Sequence, residues 1–291
     1  MCGIVGVLSS ESRDGFEADE VVRHMALALR HRGPDDTGTW HDSQTGVAFG
    51  HQRLAVIDLS HAGHQPMTSA SGRFVIAFNG EIYNHLDLRN ELQQHEGSLD
   101  WRGHSDTESL LAAIEQWGVE ATLNRLVGMF AIALWDREDR KLYLARDRLG
   151  EKPLYYGWLR GTFAFGSELK ALKAHPSFDN AISRESLTQY LRHMYVPAPR
   201  SIYEGIFKLE AGCLLEIKGG EEIPVPAEPL RPPASLGKIR LTRWWSLSDV
   251  VEVGARRKFS DEGEALGELE ARLQEAITGQ SLADVPVSYT H

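Results

Sequence analysis

Apolar residues in the first two-thirds of the chain fall in short runs that alternate with polar positions or stay apolar, then break at glycine, asparagine or aspartate. The runs GIVGVLS, GVAFGHQRLAVIDL, RFVIAFNGEIY, GMFAIALWD, KLYLARD, LYYG and TFAFGSE fit buried or half-buried strands. Between them the period changes to that of a helix. Val21, Val22, Met25 and Leu29 share one face over residues 20–29, and Leu110, Leu111, Ile114 and Trp117 share another. Residues 183–195 predict a third helix. Strands in groups, with helices between the groups, predict an α+β chain of stacked antiparallel sheets covered by helices rather than a parallel βαβ sheet.

The pattern changes after KGGEE, where IPVPAEPLRPPAS packs five prolines into thirteen residues. That composition predicts a linker or arm. The chain divides accordingly into a strand-rich domain at 2–215, a Pro-rich arm at 216–245 and a remainder at 246–291. Trp244 and Trp245 read as an anchor. Ala265, Leu266, Leu269, Leu273, Ala276 and Ile277 form a C-terminal helical stripe that needs a surface to pack on.

Charge and composition narrow the function. The 291 residues carry a net charge of −10 with no basic run, which argues against a nucleic-acid or anionic-membrane binder and for a small-molecule partner. No apolar run approaches the ~18 residues of a membrane span, and no basic segment leads into an apolar one near the start, where Glu11 and Asp14 stand. Two cysteines, Cys2 and Cys213, predict a reducing, cytoplasmic setting, with Cys213 a plain core residue. The twelve histidines are scattered without metal-ligand spacing, so no metal is expected.

Cys2 directly follows the initiator methionine, which cells trim when the next side chain is small. The mature chain would then begin with a thiol beside a free α-amine, and an amine with a pKa of about 8 can take the thiol proton near neutrality. Cysteine is also commonly a small buried hydrophobe at a frayed terminus. Gly3 to Leu8, read as a buried strand, favours the reactive alternative because it holds the terminus rigid.

Four polar stretches stand at strand ends or helix starts: RHRGPDDTG (30–38), HQRLAVIDL (51–59), FNGEIYN (78–84) and GHSDTES (103–109). Asn79 and Gly80 end an apolar run, where an amide and a glycine N–H suit an oxyanion hole; an Asn-Gly pair equally makes a turn. Arg53 lies in a run that reads as buried strand, and a buried guanidinium needs an anion. Asp106 follows Ser105, which with Glu108 forms a capping box, so its carboxylate has a helix-capping reading as well as a ligand-binding one.

Together with Cys2, in this order, these motifs resemble the class II glutamine amidotransferases, and within them the glutamine-hydrolysing asparagine synthetases, over residues 2 to about 215 and more weakly to Val287, which implies that 246–291 is the truncated start of a synthetase domain. The resemblance implies a four-layer αββα sandwich of two antiparallel sheets, the N-terminal-nucleophile hydrolase fold, with the Pro-rich arm and C-terminal helix appended. It implies glutamine hydrolysis with Cys2 as nucleophile, Asn79 and Gly80 as oxyanion hole, Arg53 reading the substrate α-carboxylate and Asp106 its α-ammonium. Leu54, Val56, Ile57 and Glu81 correspond to the rest of the glutamine pocket. RHRGPDDTG is expected as a loop beside the pocket, and ARDRLGEKPLYYG as a structural loop and strand without chemistry.

In the full-length family, the stretch resembling SLADVPV leads into a Ser-Gly-Gly-x-Asp-Ser loop that binds ATP. Here Ser288 to His291 depart from that pattern. The resemblance then implies a truncated chain that needs no cofactor for ammonia release, lacks the ATP and Mg site, and cannot make asparagine alone. A separate synthetase chain or a homodimer is the expected protein partner. The alternative from another class is a non-catalytic binding or regulatory module, or an unproductive gene fragment.

Overall fold

The computed structural model describes residues 1–9, 15–96, 99–220, 223–256 and 258–285. Residues 286–291, including Ser288 to His291, and also Glu11, Asp14 and Glu221 and Glu222 of KGGEE, lie outside the described residues.

In chain order the elements are β1 (Gly3–Leu8), α1 (Gly15–Leu27), β2 (Asp36–Asp42), β3 (Val47–Arg53), β4 (Met67–Thr68), β5 (Phe74–Ile82), α2 (His85–Glu96), α3 (Asp106–Trp117) and α4 (Val119–Arg125). There follow β6 (Gly128–Asp136), β7 (Lys141–Arg146), β8 (Tyr155–Leu159), β9 (Thr162–Gly166), α5 (Leu169–Lys173), α6 (Arg184–His193), β10 (Ile206–Lys208) and β11 (Cys213–Lys218). The last are β12 (Ala234–Leu236), β13 (Ile239–Arg243), α7 (Leu247–Gly254) and α8 (Glu262–Gln280).

The strands form two sheets, β10-β8-β9-β1-β3-β2 and β12-β13-β11-β7-β6-β5-β4. All their pairings are antiparallel among the described residues. Side-chain alternation sorts each strand onto two layers. Ile4, Leu8 and Phe49 of the first sheet meet Val75, Ala77 and Trp135 of the second in the central core. Val5 and Val7 point the other way, onto Val22, Met25 and Ala26 of α1. Phe74, Ile76 and Phe78 face outward onto Leu110, Leu111 and Ile114 of α3, with Leu88 of α2 and Leu123 of α4 in the same cluster. A one-residue slip of β1 or β5 would exchange its two faces, so burial on both sides fixes the register. This is the αββα sandwich expected from the resemblance.

Two elements differ from the sequence reading. HQRLAVIDL does not continue as a strand: β3 stops at Arg53 and residues 54–59 form a loop. The reason is loss of neighbours, since β1 pairs only as far as Gly3↔Gln52 and β2 as far as Asp36↔Arg53. The helix expected at 20–29 runs over Gly15–Leu27. Within the Pro-rich region, β12 and β13 extend the second sheet through Leu215↔Leu241, and Trp244 stacks on Phe130 at 6.0 Å between ring centroids.

Along α8, Leu266, Leu269, Leu273 and Ile277 are exposed, so the predicted stripe is present and uncovered. Among the described residues, no helix is long and apolar enough to cross a membrane.

Candidate active site

Cys2 sits at the head of β1, in the middle of the first sheet, and is a free thiol. The strand after it is pinned twice by Ser167: the Ile4 N–H donates to Ser167 Oγ at 3.0 Å, and the Ser167 N–H to the Ile4 carbonyl at 2.9 Å. The Cys2 carbonyl accepts from Arg32 Nε at 2.9 Å, and Arg32 Nη1 is held by Glu168 at 2.7 Å. Against the opposing effect of burial, side-chain hydrogen bonds from Arg32, Lys170 and His31, with the Arg32 charge, hold the Glu168 carboxyl down at about 2. Residues 30–35 therefore form a loop beside the cysteine and orient it, while Asp36, Thr37 and Gly38, expected in the same loop, pair with β3 as the start of β2. Asp35 also accepts from the Ala55 N–H at 2.9 Å.

Cys2 Sγ is held in the loop after β3, donating to the Leu54 carbonyl at 3.6 Å and accepting from the Leu54 N–H at 3.4 Å. Burial pushes the thiol above its ordinary range, while the Leu54 hydrogen bond and the terminal amine pull the other way. The sulfur thus needs a base to become nucleophilic. Met1 is present in this structure, so the terminal amine belongs to Met1 and the Cys2 nitrogen is a peptide nitrogen.

The end of β5 supplies the facing wall. Asn79 and Gly80 do not make a turn; they remain in the ladder opposite Ala131 and Phe130. Asn79 shares the alternation of Val75 and Ala77, so its side chain points between the sheets. Its carboxamide is buried, and neither Nδ2 nor Oδ1 has a partner among the described residues. An orphaned buried amide costs stability, which makes this a group held ready for a ligand.

The Gly80 N–H follows from strand geometry. Phe130, opposite Gly80, spends both backbone groups on Asp147: its N–H on Oδ2 at 3.2 Å and its carbonyl on the Asp147 N–H at 2.9 Å. Gly80 therefore belongs to a non-hydrogen-bonded pair, and its N–H points away from β6. The N–H groups on the same edge two residues either side are taken by side chains. Phe78 donates to Gln65 Oε1 at 2.7 Å and Ile82 to Asp106 Oδ2 at 2.9 Å. Among the described residues no side chain takes the Gly80 N–H between them, and Gly80 lines the cavity. Glycine is required here because a Cβ would collide with the Met129 carbonyl and Phe130.

Cys2, Arg53, Leu54, Val56, Ile57, Asn79, Gly80, Glu81 and Asp106, all nine residues expected from the sequence, line one cavity of about 420 Å³. Arg53 is 7% exposed and donates to the backbone carbonyls of Asp58 and Ser60. No carboxylate lies within 4.0 Å of it among the described residues. The anion it was expected to need is thus replaced, within this chain, by neutral carbonyls.

Asp106 is buried at the start of α3, and burial raises its carboxyl to about 6 against the Ile82 and Thr107 N–H groups, which lower it. Ser105 caps the helix by accepting from the Glu108 N–H at 3.3 Å. The reciprocal half of the expected capping box is absent: Glu108 instead accepts from the Arg102 and Gly103 N–H groups at 2.8 and 3.1 Å. Burial also raises the Glu81 carboxyl.

Sequence reasoning missed three features. Lys152, in the stretch given no chemistry, lines the cavity with its side chain buried. Gln65 donates from Nε2 to Thr107 Oγ1 at 3.2 Å and fixes the strand edge. Gln280, Leu282, Ala283 and Val285 roof the cavity. Asp284 secures that roof, its N–H donating to the Val56 carbonyl at 2.9 Å and its carboxylate accepting from the Asp58 N–H at 2.7 Å and meeting His104 Nε2 at 2.6 Å. None of the three had a signal in the sequence, where Lys152 stands beside Glu151 as an ordinary loop lysine.

Comparison with known proteins agrees with this geometry. A family profile described as a glutamine amidotransferase domain matches residues 1–226. A putative glutamine-hydrolysing asparagine synthetase of Mycobacterium bovis is 39% identical over 239 residues, covering 77% of this chain and 36% of that protein. Asparagine synthetase 3 of Bacillus subtilis is 35% identical over 294 residues, covering 99% and 42%, and a putative asparagine synthetase of Methanocaldococcus jannaschii 31% over 308 residues, covering 99% and 53%. The chain thus spans between about a third and about half of the length of these curated relatives. In fold it is similar to the glutamine phosphoribosylpyrophosphate amidotransferase of B. subtilis, with a TM-score of 0.56 at 19% identity over 84% of this chain and 50% of that one. With its sandwich, its motif order and its profile match in agreement, the chain belongs to the glutamine amidotransferase domain family.

Proposed function

We propose that this chain hydrolyses L-glutamine to glutamate and ammonia, as the glutaminase part of a glutamine-hydrolysing asparagine synthetase, with Cys2 as its N-terminal nucleophile. The observation that carries the reading is the orphaned Asn79 amide beside the open Gly80 N–H, across one cavity from the Cys2 sulfur. Two donors poised on a strand end suit the oxyanion of a tetrahedral intermediate.

Once Met1 is removed, the Cys2 α-amine accepts the thiol proton and the sulfur attacks the side-chain carbonyl carbon of glutamine. Negative charge moves to the carbonyl oxygen, between Asn79 Nδ2 and the Gly80 N–H. Its collapse breaks the C–N bond, and the protonated amine returns its proton to the leaving nitrogen, which departs as ammonia. Water, deprotonated by the same amine, then attacks the thioester, and glutamate leaves with the thiol restored.

Arg53 reads the α-carboxylate and Asp106 the α-ammonium of the substrate, while Leu54, Val56 and Ile57 wall its methylenes and Glu81 borders the cavity near the terminus. This chemistry uses only groups of this chain and water. Its free cysteines fit the cytoplasm.

The test is ammonia and glutamate release by the purified chain, with Met1 removal established by intact mass. Cys2→Ala is expected to bring turnover to the background rate with an unchanged circular dichroism spectrum; residual turnover in that variant would overturn the assignment. A mass that retains Met1, with no turnover, would favour a non-catalytic module.

A further inference from the structure

Lys152 is 5% exposed, and its ammonium donates to the thioether sulfur of Met1 at 3.3 Å. A thioether is a weak acceptor, and no carboxylate lies within 4.0 Å of this ammonium among the described residues. A buried cation so poorly satisfied is costly. Removal of Met1 takes away even that acceptor. It also moves the chain's α-amine one residue inward, onto Cys2, in the cavity that Lys152 lines.

The charges around the terminus are unequal. Those facing it are the Cys2 thiol, Arg32, Lys152 and Glu81, with Arg53 from β3 and Asp106 from α3 facing the sulfur. Lys152 itself faces Glu81, Glu151, Asp147 and Arg32. Arg32 is neutralised by Glu168 at 2.7 Å, so its field is largely cancelled locally. Glu81 opposes Lys152 from beyond ion-pair distance, and burial disfavours the charged form of each, lowering the lysine from its ordinary value and raising the carboxyl. The lysine charge, like that of Arg53 beside the sulfur, has no carboxylate within 4.0 Å among the described residues, and unlike Arg53, which donates to two backbone carbonyls, it meets only the Met1 thioether.

We infer that Lys152 is a positioning residue for the Cys2 α-amine: its fixed ammonium disfavours a second positive charge beside it and so holds that amine as the free base that accepts the thiol proton. The inference rests on the hydrolysis proposed above. The Met1 amine present in this structure shows the same influence, lying below its ordinary value chiefly through burial, with Arg32 and Lys152 lowering it further and the Cys2 thiol opposing. Removing a positive neighbour raises an amine's pKa, so the acid limb of the rate profile must move to higher pH.

The experiment uses the full chain after Met1 removal, comparing wild type with Lys152→Met, Lys152→Gln and Lys152→Arg. Initial rates of ammonia release from glutamine are measured across the pH range, together with the pH dependence of Cys2 alkylation by iodoacetamide, followed by peptide mass. Both neutral variants are expected to shift the acid limb of kcat/KM upward by about one pH unit, roughly a tenfold loss on that limb. The KM for glutamine above that limb should stay within about twofold, and Lys152→Arg should restore the wild-type profile. Superimposable profiles would overturn the inference, and so would a raised KM with an unmoved limb. Alkylation reports the same shift whether or not glutamine is the substrate, so an unmoved alkylation profile refutes the role of Lys152, whereas a wild type that alkylates normally but releases no ammonia refutes the hydrolysis.

Discussion

Asn79→Ala separates a catalytic amide from a structural one. In the folded chain the Asn79 carboxamide is buried with both polar atoms unpartnered among the described residues, and each such atom costs on the order of 1–3 kcal/mol. Alanine removes that penalty. Because the side chain borders an existing cavity of about 420 Å³, its loss enlarges open space instead of creating a closed void, which keeps the cavity term small. Stability should therefore be unchanged or rise, by as much as about 2 kcal/mol, which corresponds to roughly 4–8 °C in Tm for a domain of this size. Activity should move the opposite way. Loss of one oxyanion donor costs about 2.7–4 kcal/mol of transition-state stabilisation, a fall of roughly 100- to 1,000-fold in kcat with little change in KM. A coupled assay for ammonia gives the kinetics and a thermal melt gives Tm. A kcat within about threefold of wild type, or a Tm lowered by more than about 4 °C, would show that the amide holds the fold and not the oxyanion.

Three further outcomes follow from the same site. Arg53→Ala should raise the glutamine KM by about 100-fold or more, on the scale of truncating one partner of a buried ion pair, and abolish the preference for glutamine over amides lacking α-substituents; equal turnover of such amides by wild type would refute the pairing. Asp106, raised to about 6 by burial, loses stability for the fold as pH climbs from its unfolded value of 3.8 through 6, so Asp106→Asn should be more stable than wild type by roughly 1–3 kcal/mol at pH 7.5 and by nothing below pH 4, while binding glutamine more weakly. Denaturant titrations at the two pH values decide it, and equal stability at pH 7.5 would count against it. The Asp284 carboxyl lies below its ordinary value, first through the His104 hydrogen bond and then the Asp58 N–H, so its grip is complete above the carboxylate range and is lost as pH falls through it. Asp284→Ala should raise the glutamine KM and speed hydrogen exchange at residues 56–58, and unchanged exchange would show that the roof does not hold that loop.

Much of this protein was legible in its sequence because the relevant forces are local or periodic. The alternation in GIVGVLS and RFVIAF placed β1 and β5, and the stripe from Leu110 to Ile114 placed α3, because burying one face requires those spacings. Ser105 announced the start of α3 through a cap that acts over three residues. The site residues were recognisable as polar groups in apolar surroundings, where Arg53, Asn79 and Asp106 needed partners that their own segments could not supply.

What the sequence could not settle depends on neighbours distant along the chain. LAVIDL has the composition of a strand yet folds as a loop, because β1 and β2 both end where β3 reaches Arg53 and no ladder remains to join. The Gly80 N–H is open only because Phe130 is committed to Asp147, and because Gln65 and Asp106 occupy the donors on either side. Lys152 reads as an ordinary loop lysine until the sheets bring it against Met1, 151 positions away in the chain, and Asp284 closes over Asp58 across 226. Hydrophobic period and capping act over a few residues and so are written in the sequence. Hydrogen-bond vacancies, buried charge and the roof of a cavity arise from surfaces that meet only in the folded chain, so the tertiary structure alone decides them.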